Sequence, residues 1–150
     1  MTTKRFSLDS NVLVYAADRR AGARHERALA ILDRAPRRDC ILTLQALAEF
    51  FHATTRKGMV PKADAAAQVR DWSVEFPVAA ADVDALRAAL GLAMDGRCGF
   101  WDALLLATAE RHGCVVMLSE DMQDGMRLNR LIVCNPFAGD ALPAPVVELL

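Results

Sequence analysis

Short apolar runs alternate with longer, periodically apolar segments along most of the chain. The runs Lys4–Leu8, Cys40–Leu42, Cys114–Leu118 and Leu131–Cys134 predict strands, and Pro77–Ala80 predicts a further short one. The third run is continuously apolar, which is typical of a strand buried on both faces of a sheet. These runs predict a sheet with a well-covered core.

The segments between these strands carry apolar residues three and four positions apart, the period of a helix that buries one face. Asp9 precedes the first as a capping residue, Pro61 opens the fourth and Gly113 closes the last. The tail, which contains Pro143 and Pro145, is predicted to be irregular. The predicted helices are Val12–Ala17, Arg24–Ala35, Thr43–Lys57, Lys62–Phe76, Asp82–Met94 and Phe100–His112.

Strands that alternate with helices indicate an α/β fold with a mainly parallel sheet. Right-handed crossovers then give a three-layer α/β/α sandwich. A length of 150 residues, without an internal repeat or linker, predicts one domain over residues 1–150.

Composition narrows the class of protein. Hydrophobic residues make up 53% and charged residues 25%, as in soluble globular proteins, and no uncharged apolar run reaches the ~18 residues of a membrane span. Met1–Ser7 lacks the pattern of a signal peptide. The four cysteines form no C-x-x-C pair, which favours reduced thiols over disulfides or a zinc site. We therefore expect a cytoplasmic protein.

Four carboxylates fall where strands end or neighbouring helices begin. Asp9 directly follows the first strand, and Asp121 follows the Cys114–Leu118 strand after a short turn. Glu49 lies in the helix that leaves the second strand, and Asp102 lies in the first turn of the helix before the Cys114–Leu118 strand. Open parallel sheets bind ligands beyond the carboxyl ends of their strands. The four side chains are therefore expected at one edge.

Each carboxylate also has an explanation that needs no ligand. Asp9 and Asp121 could be helix N-caps, and Glu49 could lie on a solvated helix face. Asp102 could stabilise a helix dipole, which is worth about 0.3–1 kcal/mol. Its helix is nevertheless apolar all round, and a lone carboxylate on a buried helix is costly. Asp102 is the hardest of the four to explain without a ligand.

Crowded carboxylates repel and raise one another's pKa, a conflict that a divalent cation removes. Mg²⁺ prefers oxygen ligands, and the absence of a Cys/His cluster argues against zinc. Such an ion holds a phosphate oxygen and lowers the pKa of a bound water. The residues therefore predict a site for phosphoryl chemistry.

Four segments occur in the order Leu8–Ala16, Thr43–Phe50, Phe100–Leu104 and Leu118–Gly125. They resemble the motifs of PIN-domain ribonucleases and are most similar to the VapC toxins of bacterial toxin–antitoxin pairs. The resemblance covers nearly the whole chain. It implies an α/β/α sandwich and Mg²⁺- or Mn²⁺-dependent cleavage of RNA, often tRNA or rRNA.

The resemblance implies roles by position. Asp9 and Asp102 would be the principal metal ligands. Glu49 and Asp121 would complete the catalytic acidic pocket, directly or through water. Many relatives carry His where this chain has Asp124, which could help to hold a second metal or simply occupy the turn before a glycine.

Further polar residues of these motifs would support the carboxylates. Asn11 and Ser119 would orient them, as residues around metal ligands usually do. Thr43 and Gln45 are possible supports, with the alternative that they are the N-cap and a first-turn residue of a helix.

Partners follow from the same resemblance. Family members usually form homodimers and are inhibited by a VapB-type antitoxin that covers an apolar groove and the acidic pocket, in a heterotetramer or a larger complex. Four large apolar residues could supply such a groove or, equally, belong to the core: Phe50, Phe51, Met59 and Trp72.

The net charge of −1 combines 18 basic with 19 acidic residues. If a metal neutralises the four carboxylates, 18 basic residues face 15 acidic ones, and arginine can grip RNA phosphates. The alternative is that the arginines of this chain form an ordinary solvated surface. The candidates for RNA contact are Arg19, Arg20, Arg24 and Arg27, with Arg56 and Lys57 as a second set.

Other functions fit less well. A haloacid dehalogenase-type phosphatase needs a second Asp where this chain has Asn11, and a response-regulator receiver needs a late Lys, but none follows Lys62. A catalytically silent PIN-like module that only binds RNA or a partner remains an alternative, which the presence of all four acids disfavours.

Overall fold

A computed structural model of the chain describes residues 3–150, and this range contains six strands and seven α-helices. None of these helices is long and apolar enough to cross a membrane. Two short 3-10 turns, Arg19–Ala21 and Ala35–Arg37, flank the second helix. The elements are β1 (Phe6–Leu8), α1 (Ser10–Ala17), α2 (Ala23–Arg34), β2 (Cys40–Thr43), α3 (Leu44–Arg56), α4 (Lys62–Glu75), β3 (Val78–Ala79), α5 (Val83–Met94), α6 (Phe100–Arg111), β4 (Val116–Leu118), β5 (Arg127–Leu128), β6 (Leu131–Cys134) and α7 (Ala144–Leu149).

The strands form one sheet in the order β3-β2-β1-β4-β6-β5, in which only β5 is antiparallel to its neighbour. Helices α1 to α4 pack in one group and α5 pairs with α6 in another. The predicted α/β class with a mainly parallel sheet is confirmed.

The register of the central strands positions the site. Leu8 at the end of β1 is aligned with Leu118 at the end of β4. The backbone N–H of Asp9 continues this ladder by donating to the carbonyl of Leu118 at 2.9 Å. Asp9 and Ser119, the residues that follow these two strands, therefore lie side by side at the carboxyl edge.

The core draws buried side chains from the whole described range, from Phe6 in β1 to Leu149 in α7. Phe50 and Trp72 belong to this core, with ring centroids 4.8 Å apart in an edge-on arrangement. The idea that these two rings supply exposed apolar surface is therefore wrong. Phe51 is on the surface, at 36% exposure.

The tail is the clearest departure from the sequence prediction. It was expected to be irregular, but Pro143 caps α7 and Pro145 lies in its first turn, where a missing N–H leaves no helical bond unmade. Val146 and Leu149 then reach the core. The prolines start a helix here instead of excluding one.

Strand β5 was also not predicted. It is only two residues long and returns to β6 through a turn in which Asn129 has a φ of 52°. Asn tolerates this left-handed conformation better than most residues. A strand of only two residues, Arg127 and Leu128, contains no apolar run by which the sequence could reveal it.

Candidate active site

Asp9 is a buried carboxylate with a hydrogen-bond partner on each oxygen. Its Oδ1 accepts from the backbone N–H of Ser10 at 2.7 Å, so the residue caps α1. Its Oδ2 accepts from Ser119 Oγ at 2.7 Å and from Asn11 Nδ2 at 3.3 Å. Only 4% of Asp9 is exposed. The capping role and the position at the sheet edge coexist in one side chain.

The environment of Asp9 favours its neutral form. Burial raises its pKa from 3.8 to about 6, against the lowering effect of the hydrogen bonds from Ser119 and Ser10. The negative charges of Glu49 and Asp102 raise the pKa further. Asp9 is therefore electrostatically coupled to two of the other predicted site carboxylates.

Ser119 organises the loop after β4. This fully buried side chain donates to Asp9 and accepts from the backbone N–H groups of Asp121 at 3.2 Å and Met122 at 3.4 Å. No helix follows Asp121, so the N-cap alternative for that residue is wrong. The loop instead carries an exposed Asp121, whose backbone N–H is held by Ser119.

Glu49 is held from two directions in the second turn of α3. Its Oε2 accepts from Ser10 Oγ at 2.8 Å, and its Oε1 accepts from Gln45 Nε2 at 2.7 Å. Gln45 also donates to the carbonyl of Trp101 at 2.9 Å, one residue before Asp102. Gln45 thus links the helix of one carboxylate to the start of the helix of another.

Thr43 has a local role. Its side chain is buried, and Oγ1 accepts from the backbone N–H of Ala46 at 3.0 Å, which makes it the N-cap of α3. The capping alternative accounts for this contact. It fixes the start of α3 and, through it, the first two helical turns.

Asp102 lies half-buried in the first turn of α6. Burial raises its pKa, and the charges of Asp121 and Glu49 raise it further. The four carboxylates are therefore linked by mutual repulsion. We call Asp9, Glu49, Asp102 and Asp121 the acidic edge.

The acidic edge is not arranged as a finished coordination site. Within residues 3–150, no three His, Cys, Asp or Glu side chains are gathered closely enough to hold a metal ion. None of the ion pairs in the same range includes a member of the edge. The donors are nevertheless carboxylate oxygens with uncompensated charge, and this donor chemistry fits Mg²⁺ or Mn²⁺.

Asp124 stands apart from this group. It is exposed, and its Oδ1 accepts from the backbone N–H of Asn135 at 3.0 Å, just after β6. Gly125 follows with a φ of 83°, a left-handed conformation that suits glycine. These features support the turn interpretation of Asp124.

The candidate arginines divide into two pairs. Arg19 and Arg20 are exposed at the far end of α1, which at eight residues is about 12 Å long, and line an open cavity of about 540 Å³. Arg20 pairs with the neighbouring Asp18 at 3.5 Å, whereas Arg24 and Arg27 contact residues far away in the chain. The former donates to Glu120 at 2.7 Å, and the latter donates to three backbone carbonyls beyond β6.

Glu120 was not among the residues singled out from the sequence. It lies between two site residues, and its carboxylate accepts from both Tyr15 and Arg24. Burial opposes ionisation, but these two hydrogen bonds outweigh it and lower the pKa of Glu120. Burial and the bond to Glu120 raise the pKa of Tyr15 to about 12. The two partners lie far away in the chain, so the sequence carried no signal for this contact.

Comparison with solved structures finds the same fold in toxin–antitoxin proteins. VapC20 of Mycobacterium tuberculosis, described as a sarcin–ricin loop cleaving toxin, is 19% identical over 77% of this chain and 89% of its own, with a TM-score of 0.62. DNA-bound VapBC of Salmonella typhimurium is 16% identical over 89% and 98%, with a TM-score of 0.63. FitAcB of Neisseria gonorrhoeae is 17% identical over 89% and 99%, with a TM-score of 0.61.

No curated protein sequence matches the chain. The model of the PIN domain family does match, over residues 7–123. This range begins in β1 and ends just beyond Asp121, so it includes all four members of the acidic edge. The chain belongs to the PIN domain family.

Proposed function

We propose that this protein is a Mg²⁺- or Mn²⁺-dependent endoribonuclease and the toxin of a toxin–antitoxin pair. The observation that carries the proposal is the acidic edge, in which burial and the neighbouring negative charges raise the pKa of Asp9 and of Asp102. None of the ion pairs among residues 3–150 gives a member of the edge a basic partner. Membership of the PIN family and the shared fold of VapC toxins support nuclease chemistry. The neighbour that cleaves the sarcin–ricin loop supports structured RNA, such as tRNA or rRNA, as the substrate class.

The side chains around the edge hold the carboxylates in place. Ser119 and Asn11 fix one oxygen of Asp9, while Ser10 and Gln45 each hold one oxygen of Glu49. A bound divalent cation would supply positive charge at the scissile phosphate and acidify a water molecule. In this proposal Asp9 and Asp102 are the principal ligands of the cation.

Glu49 and Asp121 then complete the pocket, directly or through water. Asp121 is on the surface while Glu49 is half-buried. The two residues can therefore differ in whether they contact the cation directly or through a water molecule. The mutual repulsion of the four groups favours an open arrangement without a cation and a closer one with it.

The test is cleavage of tRNA and rRNA by the full chain with Mg²⁺, with Mn²⁺ and with a chelator. We expect wild type to need the cation, and Asp9→Asn and Asp102→Asn each to lose about 100-fold or more of the rate. The matched control is Asp71→Asn, an exposed carboxylate on α4. Cleavage by both site variants at the wild-type rate would refute the assignment.

A catalytically silent PIN-like module is the second candidate. It is favoured by the absence of a preassembled metal cluster among the described residues. The melting temperature separates the two candidates. A metal-binding site predicts that Mg²⁺ stabilises wild type more than Asp102→Asn, whereas a silent module predicts the same small shift in both.

We further propose a VapB-type antitoxin as partner and a homodimer as the resting assembly. Solved neighbours that are toxin–antitoxin complexes support the antitoxin. The exposed apolar side chains of α5 support self-association. Leu86, Leu90 and Met94 recur four positions apart along this helix and are 40%, 47% and 86% exposed.

A further inference from the structure

Glu120 lies in the chain between Ser119 and Asp121, and both of its carboxylate oxygens are hydrogen-bonded to residues outside the acidic edge. Oε1 accepts from Tyr15 Oη at 2.6 Å, and Oε2 accepts from Arg24 Nε at 2.7 Å. The Glu120 side chain is 20% exposed, so these bonds are partly shielded from water. Short bonds to an ionised carboxylate are among the stronger ones in proteins.

These contacts join three separate elements. Tyr15 lies on α1, Arg24 lies in the first turn of α2, and Glu120 lies in the loop after β4. The Arg24 guanidinium also sits 5.9 Å from the centre of the Tyr15 ring, and this ring packs edge-on against Phe137 at 5.0 Å. We call Tyr15, Arg24 and Glu120 the Glu120 clamp.

The clamp is connected to the acidic edge through the backbone amide of Glu120. The N–H of Glu120 donates to Asn11 Oδ1 at 3.3 Å. Asn11 Nδ2 in turn donates to Asp9 Oδ2 and to Ser119 Oγ, both at 3.3 Å. The loop that carries Ser119 and Asp121 is thus held at Glu120 by a side chain on one side and a backbone amide on the other.

We propose that Tyr15, Arg24 and Glu120 are positioning residues that hold the β4 loop so that Ser119 meets Asp9 and Asp121 joins the acidic edge. The inference rests on the proposed function wherever RNA cleavage is its readout. It also assigns Arg24 to the protein's own structure and not to RNA phosphates.

The kinetic test compares Glu120→Gln and Tyr15→Phe with Glu26→Gln, an exposed glutamate on α2. We expect the first two to lower kcat about 10- to 100-fold and to raise the Mn²⁺ concentration for half-maximal activity, with KM unchanged. The double variant should be little worse than the more affected single variant, because both changes weaken the same contact between Tyr15 and Glu120. An unchanged kcat in Glu120→Gln would overturn the proposal.

Arg24 separates positioning from RNA binding. Arg24→Lys keeps a charged donor for Glu120 and should retain more activity than Arg24→Gln. We expect the two variants to differ in kcat. If Arg24→Gln instead raises KM and weakens the salt dependence of RNA binding at constant kcat, Arg24 contacts RNA and the proposal fails.

Hydrogen exchange of the full chain tests the clamp without catalysis. The amides of Asp121 and Met122, which donate to Ser119 Oγ, should exchange about tenfold faster in Glu120→Gln and in Tyr15→Phe than in Glu26→Gln. Tyr15→Phe keeps the test valid if Glu120→Gln does not fold. Unchanged exchange in a folded variant overturns the clamp. A clear exchange response with no wild-type RNA cleavage refutes the proposed function instead.

Discussion

Asp9 has a structural role that makes its ionisation unfavourable when no cation is near. It caps α1 and aligns with Ser119, which requires a buried position. Burial beside Glu49 and Asp102 then raises its pKa to about 6. The shift from 3.8 corresponds to ~3 kcal/mol against the ionised form at neutral pH. A bound cation would offset this cost of ionising Asp9 in its buried position.

The raised pKa predicts how stability depends on pH in metal-free buffer. Below about pH 4 the carboxyl is protonated in both states, and above about pH 6 it is ionised in both, so only the folded state carries the cost. The contribution of Asp9 to the free energy of unfolding is therefore lost as pH rises from about 4 to 6.

Urea unfolding of wild type and Asp9→Asn between pH 4 and 8 measures this contribution. We expect the variant to become relatively more stable as pH rises, and excess Mg²⁺ to narrow the difference at pH 7. Parallel curves for the two proteins across the whole range would contradict the assigned pKa.

At the scale of elements, α3 connects the sheet to the site. Thr43 ends β2 and caps α3, so the first two helical turns, with Gln45 and Glu49, start from a buried and fixed point. Gln45 in turn donates a hydrogen bond to the carbonyl of Trp101 in α6 and so connects α3 to the helix of Asp102. The geometry of two carboxylates therefore depends on one helix start.

Removal of the Thr43 cap should affect both stability and activity. Thr43→Val keeps the shape but leaves the Ala46 N–H without its acceptor, and we expect a loss of about 1–2 kcal/mol in the free energy of unfolding. Asp82→Ala removes an N-cap of the same kind from α5 and is the matched control. Only Thr43→Val should also lower RNA cleavage at a temperature where both are folded; equal losses of activity would rule out a specific role for this cap.

At the scale of the whole molecule, the surface has apolar and basic regions that the core does not explain. The α5 residues Leu86, Leu90 and Met94 face outward, while Ala85 and Ala89 of the same helix are buried. Apolar side chains repeated along an exposed helix mark an interaction surface more often than isolated ones do.

The dimer prediction is tested by sedimentation velocity of the isolated chain. Wild type should sediment as a dimer, and Met94→Asp combined with Leu90→Asp should give monomers. Val74→Asp, which places the same charge at an 88% exposed position on α4, should remain dimeric. A monomeric wild type at micromolar concentration would refute the proposed assembly.

The exposed arginine pair predicts a charge effect on RNA binding. Replacement of Arg19 and Arg20 with Ala should reduce the slope of log affinity against log salt by about 1.5–2, because two phosphate contacts are lost. The double variant Arg70→Ala with Arg87→Ala removes two exposed charges elsewhere and should leave the slope unchanged. An unaltered slope in the first variant would place RNA away from this pair.

The sequence by itself determined the α/β class, five of the six strands in residues 3–150 and the set of candidate acids. Apolar periodicity and capping residues are local signals, and they act over the few residues that form a helix turn or a strand. The same signals are too weak to predict β5 and are misleading for α7, where Pro143 and Pro145 predict an irregular tail but begin a helix instead. The ordered motifs added the expected site residues, though not their contacts.

Only the tertiary structure decided which polar groups meet. Ser10 reaches Glu49 across 39 positions, and Tyr15 reaches Glu120 across 105. It also placed Phe50 in the core and brought the carboxylates of the acidic edge within electrostatic reach of one another, although no three acidic, His or Cys side chains of residues 3–150 are gathered closely enough to hold a metal ion. The physical reason is that periodicity encodes which face of an element is buried, whereas the partner of a polar side chain depends on how distant elements pack.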